Sequence, residues 1–327
     1  MTPTRRLWLG SAAAALAACR RGGSSRLRLV SYQGAETPQI ARALGLFEKH
    51  GLDVDLQELP GAAKAMQALL GGSADVILGT YDQVLQVRAQ GQSVKAFLLI
   101  SECHCLGLVV PQNSPVHSIA DLKGRTVCVS APGGPMQNFV AYLLRRAGLE
   151  PDDAAYAGIG IGASSVVALE HGKVDAGVVF YSSLLELKKR QPGMRILGET
   201  YTRSGSKAVF GQESFPSTCL IARTTWLDRH GDAARRMVRV FRETIDWMLA
   251  SPVEAVRAQL PRESRNPDVE IDLATLRILI PMFSRTGRLT RAAAQLSLDV
   301  LAAARPQLTR LDVPLEETFT AAFLPAP

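Results

Sequence analysis

Three neighbouring side chains, Cys103, His104 and Cys105, have the chemistry to bind a metal ion or to undergo redox reactions. Along an extended strand alternate side chains share a face, so the two thiols point one way and the imidazole points the other. The three groups therefore cannot surround one metal ion unless the chain bends. Together with Cys128 and Cys219, the segment allows three interpretations: buried free thiols, a disulfide from one of the pair to Cys128 or Cys219, or a metal or redox role.

Known catalytic motifs are missing from the sequence. It contains neither the Gly-x-Ser-x-Gly pattern of many hydrolases nor the His-Glu-x-x-His pattern of zinc proteases. Gly158, Gly160 and Gly162 match part of a dinucleotide-binding fingerprint, but the last glycine and the downstream acidic residue do not follow. We therefore predict a protein that is not an enzyme and that needs neither a metal ion nor a cofactor.

Small and polar residues follow the predicted strands, at the positions where open α/β sheets bind ligands. Helix N-termini at these junctions present free N–H groups and the positive end of the helix dipole. Each residue also has a purely structural interpretation, such as helix capping, packing or shaping a turn. The candidate ligand contacts are Gln33, Glu36, Thr37, Tyr81, Asp82 and Ser101 before residue 113, and Ser130, Gly133, Gly134 and Tyr181 after it.

Acidic residues dominate these junctions, where Glu36, Asp82, Glu102 and, further on, Glu213 occur. A site for an anionic ligand would favour Arg or Lys. The sequence therefore favours a neutral or weakly basic organic molecule that stacks on tyrosine, such as a heteroaromatic compound.

Short apolar runs alternate with amphipathic segments from residue 27 onward, which is typical of βαβ units on a mainly parallel sheet. The predicted strands include residues 27–32, 52–56, 74–78, 126–130 and 218–222. The predicted helices include residues 38–49, 62–70, 233–250, 252–260, 273–283 and 292–304.

A sequence pattern that occurs twice supports two similar lobes. Ala68-Leu69-x-x-Gly72-x-x-Asp75 recurs one hundred residues later as Ala168-Leu169-x-x-Gly172-x-x-Asp175. In both copies a helix should end at a glycine and the chain should turn into a buried strand. We place a crossover near residues 110–116 and a return near residue 218. The predicted first lobe comprises residues 26–112 and 218–327, and the second comprises residues 113–217.

The N-terminal segment has the pattern of an export signal. Arg5 and Arg6 precede an apolar run of about a dozen residues, which is too short to span a bilayer. The Leu-Ala-Ala-Cys sequence ending at Cys19 resembles a bacterial lipobox and predicts lipid attachment there, the alternative being an ordinary secretory signal. The two arginines also resemble a twin-arginine signal. We predict a signal peptide at residues 1–18, a tether at residues 19–25, and a lipoprotein at the periplasmic or extracytoplasmic face of the membrane.

The charge balance argues against a nucleic-acid partner. The chain has 37 Lys and Arg against 30 Asp and Glu, and the excess is scattered. Nucleic-acid-binding domains usually gather basic residues into one patch interleaved with aromatic side chains. We interpret the excess as a solvated surface.

Several short motifs follow one another in a fixed order: Pro38-x-x-Ala41-x-x-x-Gly45-x-Phe47-x-x-x-Gly51-Leu52, then Gly72-x-x-Asp75, Asp121-Leu122-Lys123-Gly124-Arg125, Ala147-Gly148-Leu149 and Gly172-x-x-Asp175-Ala176. Their order and spacing resemble the NMT1/THI5-like solute-binding proteins of ABC transporters, which serve sulfonates, nitrate and thiamine precursors.

The resemblance implies a two-lobed α/β protein with the type II periplasmic-binding-protein fold, each lobe a mainly parallel sheet flanked by helices. It implies a small ligand in the cleft, such as a sulfonate, nitrate or a pyrimidine, and an ABC permease and ATPase as partners. The expected function is the substrate-binding component of an importer. Two alternatives share this fold: an enzyme of the thiamine-pyrimidine-precursor type, and a ligand-sensing domain.

Overall fold

The computed structural model describes residues 26–32, 34–160, 162–308 and 314–325. The predicted signal peptide, Cys19 and Gln33 lie outside the described residues. The strands are β1 (Leu27–Tyr32), β2 (Val54–Leu59), β3 (Val76–Thr80), β4 (Val94–Leu99), β5 (Gly107–Val110), β6 (Thr126–Val129), β7 (Ala155–Gly158), β8 (Ala176–Val179), β9 (Arg195–Glu199) and β10 (Thr218–Arg223).

Helices connect these strands and cover both sheets. They are α1 (Thr37–Ala43), α2 (Leu46–Lys49), α3 (Ala62–Leu70), α4 (Tyr81–Ala89), α5 (Pro135–Arg146), α6 (Ala163–Glu170), α7 (Tyr181–Arg190), α8 (Arg203–Phe210), α9 (Thr224–Arg229), α10 (Gly231–Ala250), α11 (Val253–Gln259), α12 (Val269–Leu279) and α13 (Arg291–Ala304). The helix predicted at residues 38–49 is two helices, because Gly45 adopts a left-handed conformation between them. Among the described residues, no helix combines the length and the apolar character needed to cross a bilayer.

Two five-stranded sheets share one topology. The first has the order β2-β1-β3-β10-β4 and the second the order β7-β6-β8-β5-β9. In each sheet the strand in the fourth place, β10 or β5, runs antiparallel to both neighbours. This arrangement confirms the predicted fold class of two mainly parallel sheets flanked by helices.

Both faces of each sheet are buried. The first sheet packs on one face against α2, α9 and α10, and on the other against α3, α4 and α13. The second sheet packs against α5 and α8 on one face and against α6 and α7 on the other. Each large apolar side chain buried in these layers stabilises the fold by about 1.5–3 kcal/mol.

The repeated sequence pattern corresponds to one structural motif that is present in both lobes. Gly72 and Gly172 follow α3 and α6 with φ of 81° and 62°, a conformation that glycine adopts without strain. Asp75 then accepts hydrogen bonds from the backbone N–H of Arg28 at 3.0 Å and from its guanidinium at 2.6 Å. Asp175 likewise accepts from the backbone N–H of Thr126 at 2.8 Å. Each carboxylate therefore joins the turn after a helix to the start of a neighbouring strand.

The crossover between the sheets differs from its predicted position. The sequence placed it near residues 110–116, but β5 already belongs to the second sheet. The first crossover is therefore residues 100–106, and the first-lobe boundary at residue 112 is wrong. The apolar run continues through β4, the crossover and β5, so hydrophobicity alone does not mark the point where the chain changes sheets. The return at residue 218 agrees with the start of β10.

The C-terminal helices contact both lobes, although the sequence assigned them to the first lobe. Leu298 of α13 packs in the core of the first sheet, whereas Leu296 and Val300 pack in the core of the second. Near α12, Asp268 accepts from Lys189 of α7 at 2.5 Å. One helix supplies both cores because its opposite faces are both apolar.

We expect Asp75→Ala to lower the free energy of unfolding by about 2–3 kcal/mol, since it leaves a backbone N–H and a guanidinium without their acceptor. The Arg28 bonds outweigh the cost of burial and lower the pKa of Asp75. Its contribution is therefore present above about pH 4 and is lost as the pH falls below that value. Urea unfolding at several pH values measures both effects.

Asp53→Ala is the matched control, because Asp53 pairs with Arg26 on the surface, where both side chains are more than half exposed. We expect this control to change stability by no more than about 0.5 kcal/mol. Equal losses in the two variants would contradict the structural role of Asp75.

Candidate functional site

The carboxyl ends of the strands in both sheets meet at a hinge, which we define as residues 100–106, Thr200 and residues 211–217. Thr200 donates its backbone N–H to the carbonyl of Leu106 at 2.8 Å. At the other end, Ser217 donates its backbone N–H to the carbonyl of Ser101 at 3.0 Å. The chain therefore passes between the lobes twice, and its two passes are hydrogen-bonded to each other. A cleft between the strand ends is the position where an α/β sheet binds ligands.

Glu36 is the acidic residue on the first-lobe side of this cleft. Its half-buried carboxyl directly precedes α1 and, within the described chain, makes no side-chain bond to the start of that helix. Burial raises the pKa of Glu36 to about 7, and the negative charges of Glu58 and Asp272 add to the shift. The group can therefore exchange a proton near neutral pH, and its anion attracts a cation.

Three tyrosines lie close to the hinge. The hydroxyl of Tyr32, at the end of β1, is 2.8 Å from the Thr218 hydroxyl. Tyr201 donates its hydroxyl to the carbonyl of Val179 at 2.7 Å. The half-buried Tyr181 ring meets the Tyr201 ring edge to face, with centroids 5.1 Å apart. Tyr32 and Tyr181 therefore bring half-buried rings to the hinge from the two lobes, whereas Tyr201 is 2% exposed and packs against Tyr181.

Cys105 interacts with aromatic groups of both lobes. Burial is the main cause that raises the pKa values of Tyr32 and Tyr201, and the Cys105 thiol contributes to both shifts. The same thiol interacts electrostatically with Glu36. We call Cys105 and the three groups with which it interacts the cleft floor. Those three groups are Tyr32, Glu36 and Tyr201.

The second lobe contributes the turn of residues 130–135 before α5. Gly133 donates its N–H to Oε1 of Gln137 at 2.6 Å, and Gly134 donates its N–H to the carbonyl of Ala131 at 3.2 Å. These two N–H groups are thus already engaged within the turn. Nη2 of Arg305 donates to the Gly133 carbonyl at 2.7 Å, which places a cation beside the turn.

The first-lobe candidates include three buried side chains. Tyr81 has no exposed surface, packs edge to face on Phe319 and hydrogen-bonds the Thr318 hydroxyl at 2.5 Å. The prediction that Tyr81 contacts a ligand is therefore wrong, because its hydroxyl found a partner inside the core. Thr37, the first residue of α1, is also buried.

Asp82 is buried and does not line the cleft. It is 4% exposed, and Oδ1 has no hydrogen-bond partner among the described residues. The Asp82 charge acts on His104, whose pKa is nonetheless lowered because burial dominates. Nδ1 of His104 is 3.5 Å from the Ser217 hydroxyl, a long contact for general-base catalysis. This cluster does not form an active site open to a substrate.

The remaining candidates stay close to the cleft. The Ser101 hydroxyl is half-buried and bonds the backbone of Cys103 on both its carbonyl and its N–H, so it shapes the hinge. Ser130, Gly133, Gly134 and Tyr181 are half-buried at the second-lobe strand ends. The sequence did not identify Tyr32, Tyr201 or Arg305 as site residues. Tyr32 ends a predicted strand and was detectable, whereas Arg305 reaches the turn only through tertiary packing.

A groove of about 670 Å³ lies elsewhere, on the outside of the second lobe. It is lined by residues of α5, β9 and α8, including Leu143, Ile196 and Val209. Since it runs along the edge strand β9 on the outer side of the lobe, we place the candidate site in the cleft instead.

Comparison with known sequences decides the family. The profile of the NMT1/THI5 like family matches residues 39–255, which is more than half of the chain. The chain belongs to the NMT1/THI5-like family. Proteins named as binding proteins in Brucella abortus and Brucella suis are 30% identical to this NMT1/THI5-like protein over 251 residues, covering 73% of this chain and 74% of each relative. The 4-amino-5-hydroxymethyl-2-methylpyrimidine phosphate synthase THI13 of Saccharomyces cerevisiae is 22% identical over 220 residues, covering 66% of this chain and 64% of the yeast protein.

Solved structures agree with the fold of this NMT1/THI5-like protein. A structure from Bordetella bronchiseptica RB50 has a TM-score of 0.81 at 27% identity, covering 91% of this chain and 95% of that chain. The periplasmic aliphatic sulphonate binding protein SsuA from Escherichia coli has a TM-score of 0.74 at 19% identity, covering 90% and 91%. The alkanesulfonate-binding protein SsuA from Xanthomonas axonopodis pv. citri, bound to MOPS, has a TM-score of 0.72 at 17% identity, covering 90% and 98%.

We expect Glu36→Gln to change how the stability of this NMT1/THI5-like protein depends on pH. The pKa of Glu36 is raised from 4.5 to about 7 on folding, so ionisation opposes the folded state. The contribution of Glu36 to stability is therefore highest below about pH 4.5 and falls as the pH rises through about 7. The variant should gain on the order of 1–3 kcal/mol over wild type at about pH 8 and nothing at about pH 4.

Urea unfolding at these pH values measures the effect. Glu48→Gln is the control, because Glu48 is an exposed acid one helix further along the chain. A constant difference between wild type and Glu36→Gln across the pH range would show that Glu36 ionises as an ordinary surface acid.

Proposed function

We propose that this NMT1/THI5-like protein captures a small molecule between its two lobes and delivers it to an ABC permease and ATPase. The observation that supports this proposal is the hinge. Two hydrogen-bonded passes of the chain join the lobes, and the strand ends of both sheets face the space beside them. Relatives named as binding proteins, and the fold shared with SsuA proteins, support a solute-binding role.

The proposed ligand is a neutral or weakly basic heteroaromatic molecule. Glu36 offers a carboxyl group that is poorly solvated and free of a bond to its helix, so a protonated ring nitrogen would stabilise its anion. Tyr181 presents a half-buried ring for stacking. On the first-lobe side of the cleft floor the charge is acidic, which disfavours a sulfonate or nitrate there.

Closure would follow from the separate contacts that each lobe makes. Glu36 belongs to the first lobe and Tyr181 to the second, so one small ligand that touches both would bridge the lobes. A ligand that binds the closed form better shifts the population toward it. The permease would then recognise the closed shape.

Delivery to a permease requires a location outside the cytoplasm, and we propose the periplasmic face of the membrane with the chain anchored through lipid on Cys19. The lipobox-like sequence supports this placement. Lipid labelling of the expressed chain, compared with Cys19→Ala, tests the anchor.

A binding screen tests the proposed function. We expect the mature chain without lipid to be stabilised by weakly basic pyrimidines or related heteroaromatic bases, because a ligand at a hundred times its Kd adds about 2.7 kcal/mol. The screen compares these bases with alkanesulfonates, nitrate, flavins and aliphatic amines by thermal shift and calorimetry. Mass spectrometry of the recovered ligand then shows whether it was altered.

The outcomes separate the candidate functions. An unaltered heteroaromatic ligand supports the binder, and uptake of labelled ligand by cells with and without the chain separates an importer from a sensor. An altered ligand would favour the synthase activity for which the yeast relatives are named. Stabilisation by sulfonates alone would overturn the charge argument built on Glu36.

Tyr181→Ala should weaken binding of the ligand found in the screen by about twofold to twelvefold, since loss of one stacked ring costs about 0.5–1.5 kcal/mol. Tyr181→Phe is the control, because it keeps the ring and removes only the hydroxyl, and it should bind within about twofold of wild type. Calorimetry measures both. Unchanged affinity in Tyr181→Ala would show that the ring serves only to pack against Tyr201.

A further inference from the structure

The sulfurs of Cys103 and Cys105 lie 3.0 Å apart in the first crossover. An extended chain would also place these two side chains on one face, but Cys105 has a φ of 54°, in the left-handed region that residues other than glycine rarely adopt. The resulting bend turns the second thiol back onto the first. A disulfide joins its sulfurs at about 2.05 Å, so bond formation needs an approach of only about 1 Å.

We propose that Cys103 and Cys105 form a reversible disulfide that controls the hinge between the two lobes. All four described cysteines are free thiols in this structure. The proposed pair differs from the pairings with Cys128 or Cys219 that the sequence allowed. Cys128 and Cys219 lie on β6 and β10, each buried within its own sheet.

The Cys103 thiol links the first crossover to the second lobe. It is 1% exposed and donates its S–H to the carbonyl of Thr200, which directly follows β9. The neighbouring Leu106 donates its N–H to the Thr200 hydroxyl at 3.1 Å. A disulfide consumes the S–H, so oxidation removes one bond of this link while it closes a small covalent ring within the crossover.

Cys105 is the accessible member of the pair, because it is half-buried whereas Cys103 is not exposed. The proposed oxidant is a small disulfide such as glutathione disulfide. The Cys105 thiolate attacks one sulfur of the oxidant, and the first glutathione leaves as a thiol. Cys103 then gives up its proton and displaces the second glutathione, so two protein thiols are oxidised and one disulfide is reduced to two thiols.

The surroundings of Cys105 make this exchange slow at neutral pH. The hydrogen bond with Cys103, burial and the Glu36 charge raise the pKa of the Cys105 thiol, so little thiolate is present. Other titratable groups near it include the neighbouring His104, whose pKa burial lowers, and the hydroxyls of Tyr32 and Tyr201, which stay protonated because burial raises their pKa values. Exchange should therefore accelerate as the pH rises above neutrality.

Thiol mapping of the mature chain tests the bond. The reduced protein is incubated with glutathione disulfide in mildly alkaline buffer, then unfolded, alkylated and digested for mass spectrometry. We expect the peptide with Cys103 and Cys105 to lose two hydrogens and to escape alkylation, while Cys128 and Cys219 remain alkylated. In Cys105→Ser the bond should not form, whereas in Cys128→Ser it should form as in wild type. A lasting glutathione adduct on Cys105, or full alkylation of both cysteines, would overturn the proposal.

Hydrogen exchange of the oxidised and reduced wild-type chain tests the effect on the hinge. Oxidation should cause a loss of amide protection at Leu106 and Thr200, and reduction with dithiothreitol should restore it. Neither measurement needs a ligand, so both results are independent of the proposed transport function. Unchanged protection at both residues, in a chain whose disulfide is confirmed by mass, would show that the bond does not control the hinge.

Discussion

The hydrogen-bonded pairing of the two passes between the lobes is the constraint on which the rest of the structure depends. A chain that leaves one sheet at its carboxyl edge enters the other sheet from the same side, so its first strand must run against the others. This explains why β5 and β10, the strands that follow the two passes, are the antiparallel strands of their sheets. As a result the parallel strands of both lobes end at the hinge. The cleft is thus a consequence of chain topology.

Carboxyl groups inside the two lobes and the carboxyl group in the cleft have opposite roles. Asp75 and Asp175 accept bonds from a backbone N–H and an arginine at the start of a neighbouring strand, so each ionised carboxylate is satisfied. Glu36 is crowded by protein atoms without such a set of donors, and its pKa is raised to about 7. The satisfied acids stabilise the lobes. Burial of the Glu36 carboxyl favours a ligand that brings a donor to it, and this contrast supports the charge assigned to the proposed ligand.

The cleft floor joins binding and hinge chemistry in one place. Cys105 interacts with Glu36 of the first lobe and with Tyr201 of the second, while its sulfur lies against Cys103 within the first crossover. A change in the state of this thiol pair would therefore reach groups on both sides of the cleft. The C-terminal helix α13 adds a second connection, because its apolar faces enter the cores of both lobes. When the lobes move, α13 must therefore either keep its contacts with both cores or slide along one of them.

The sequence by itself determined the fold class, the strand at residues 27–32, the return at residue 218 and the repeated helix-to-strand turn, because hydrophobic period and glycine position act locally. It also predicted the family, which the profile match confirmed. Only the tertiary structure decided which strand ends open into the cleft. Tyr81 and Asp82 follow a strand just as Glu36 does, yet Thr318, far along the chain, binds the Tyr81 hydroxyl within the core. Long-range packing brings Arg305 to the second-lobe turn, and a single backbone angle bends Cys105 back on Cys103. Neither cause leaves a periodic signal in the sequence.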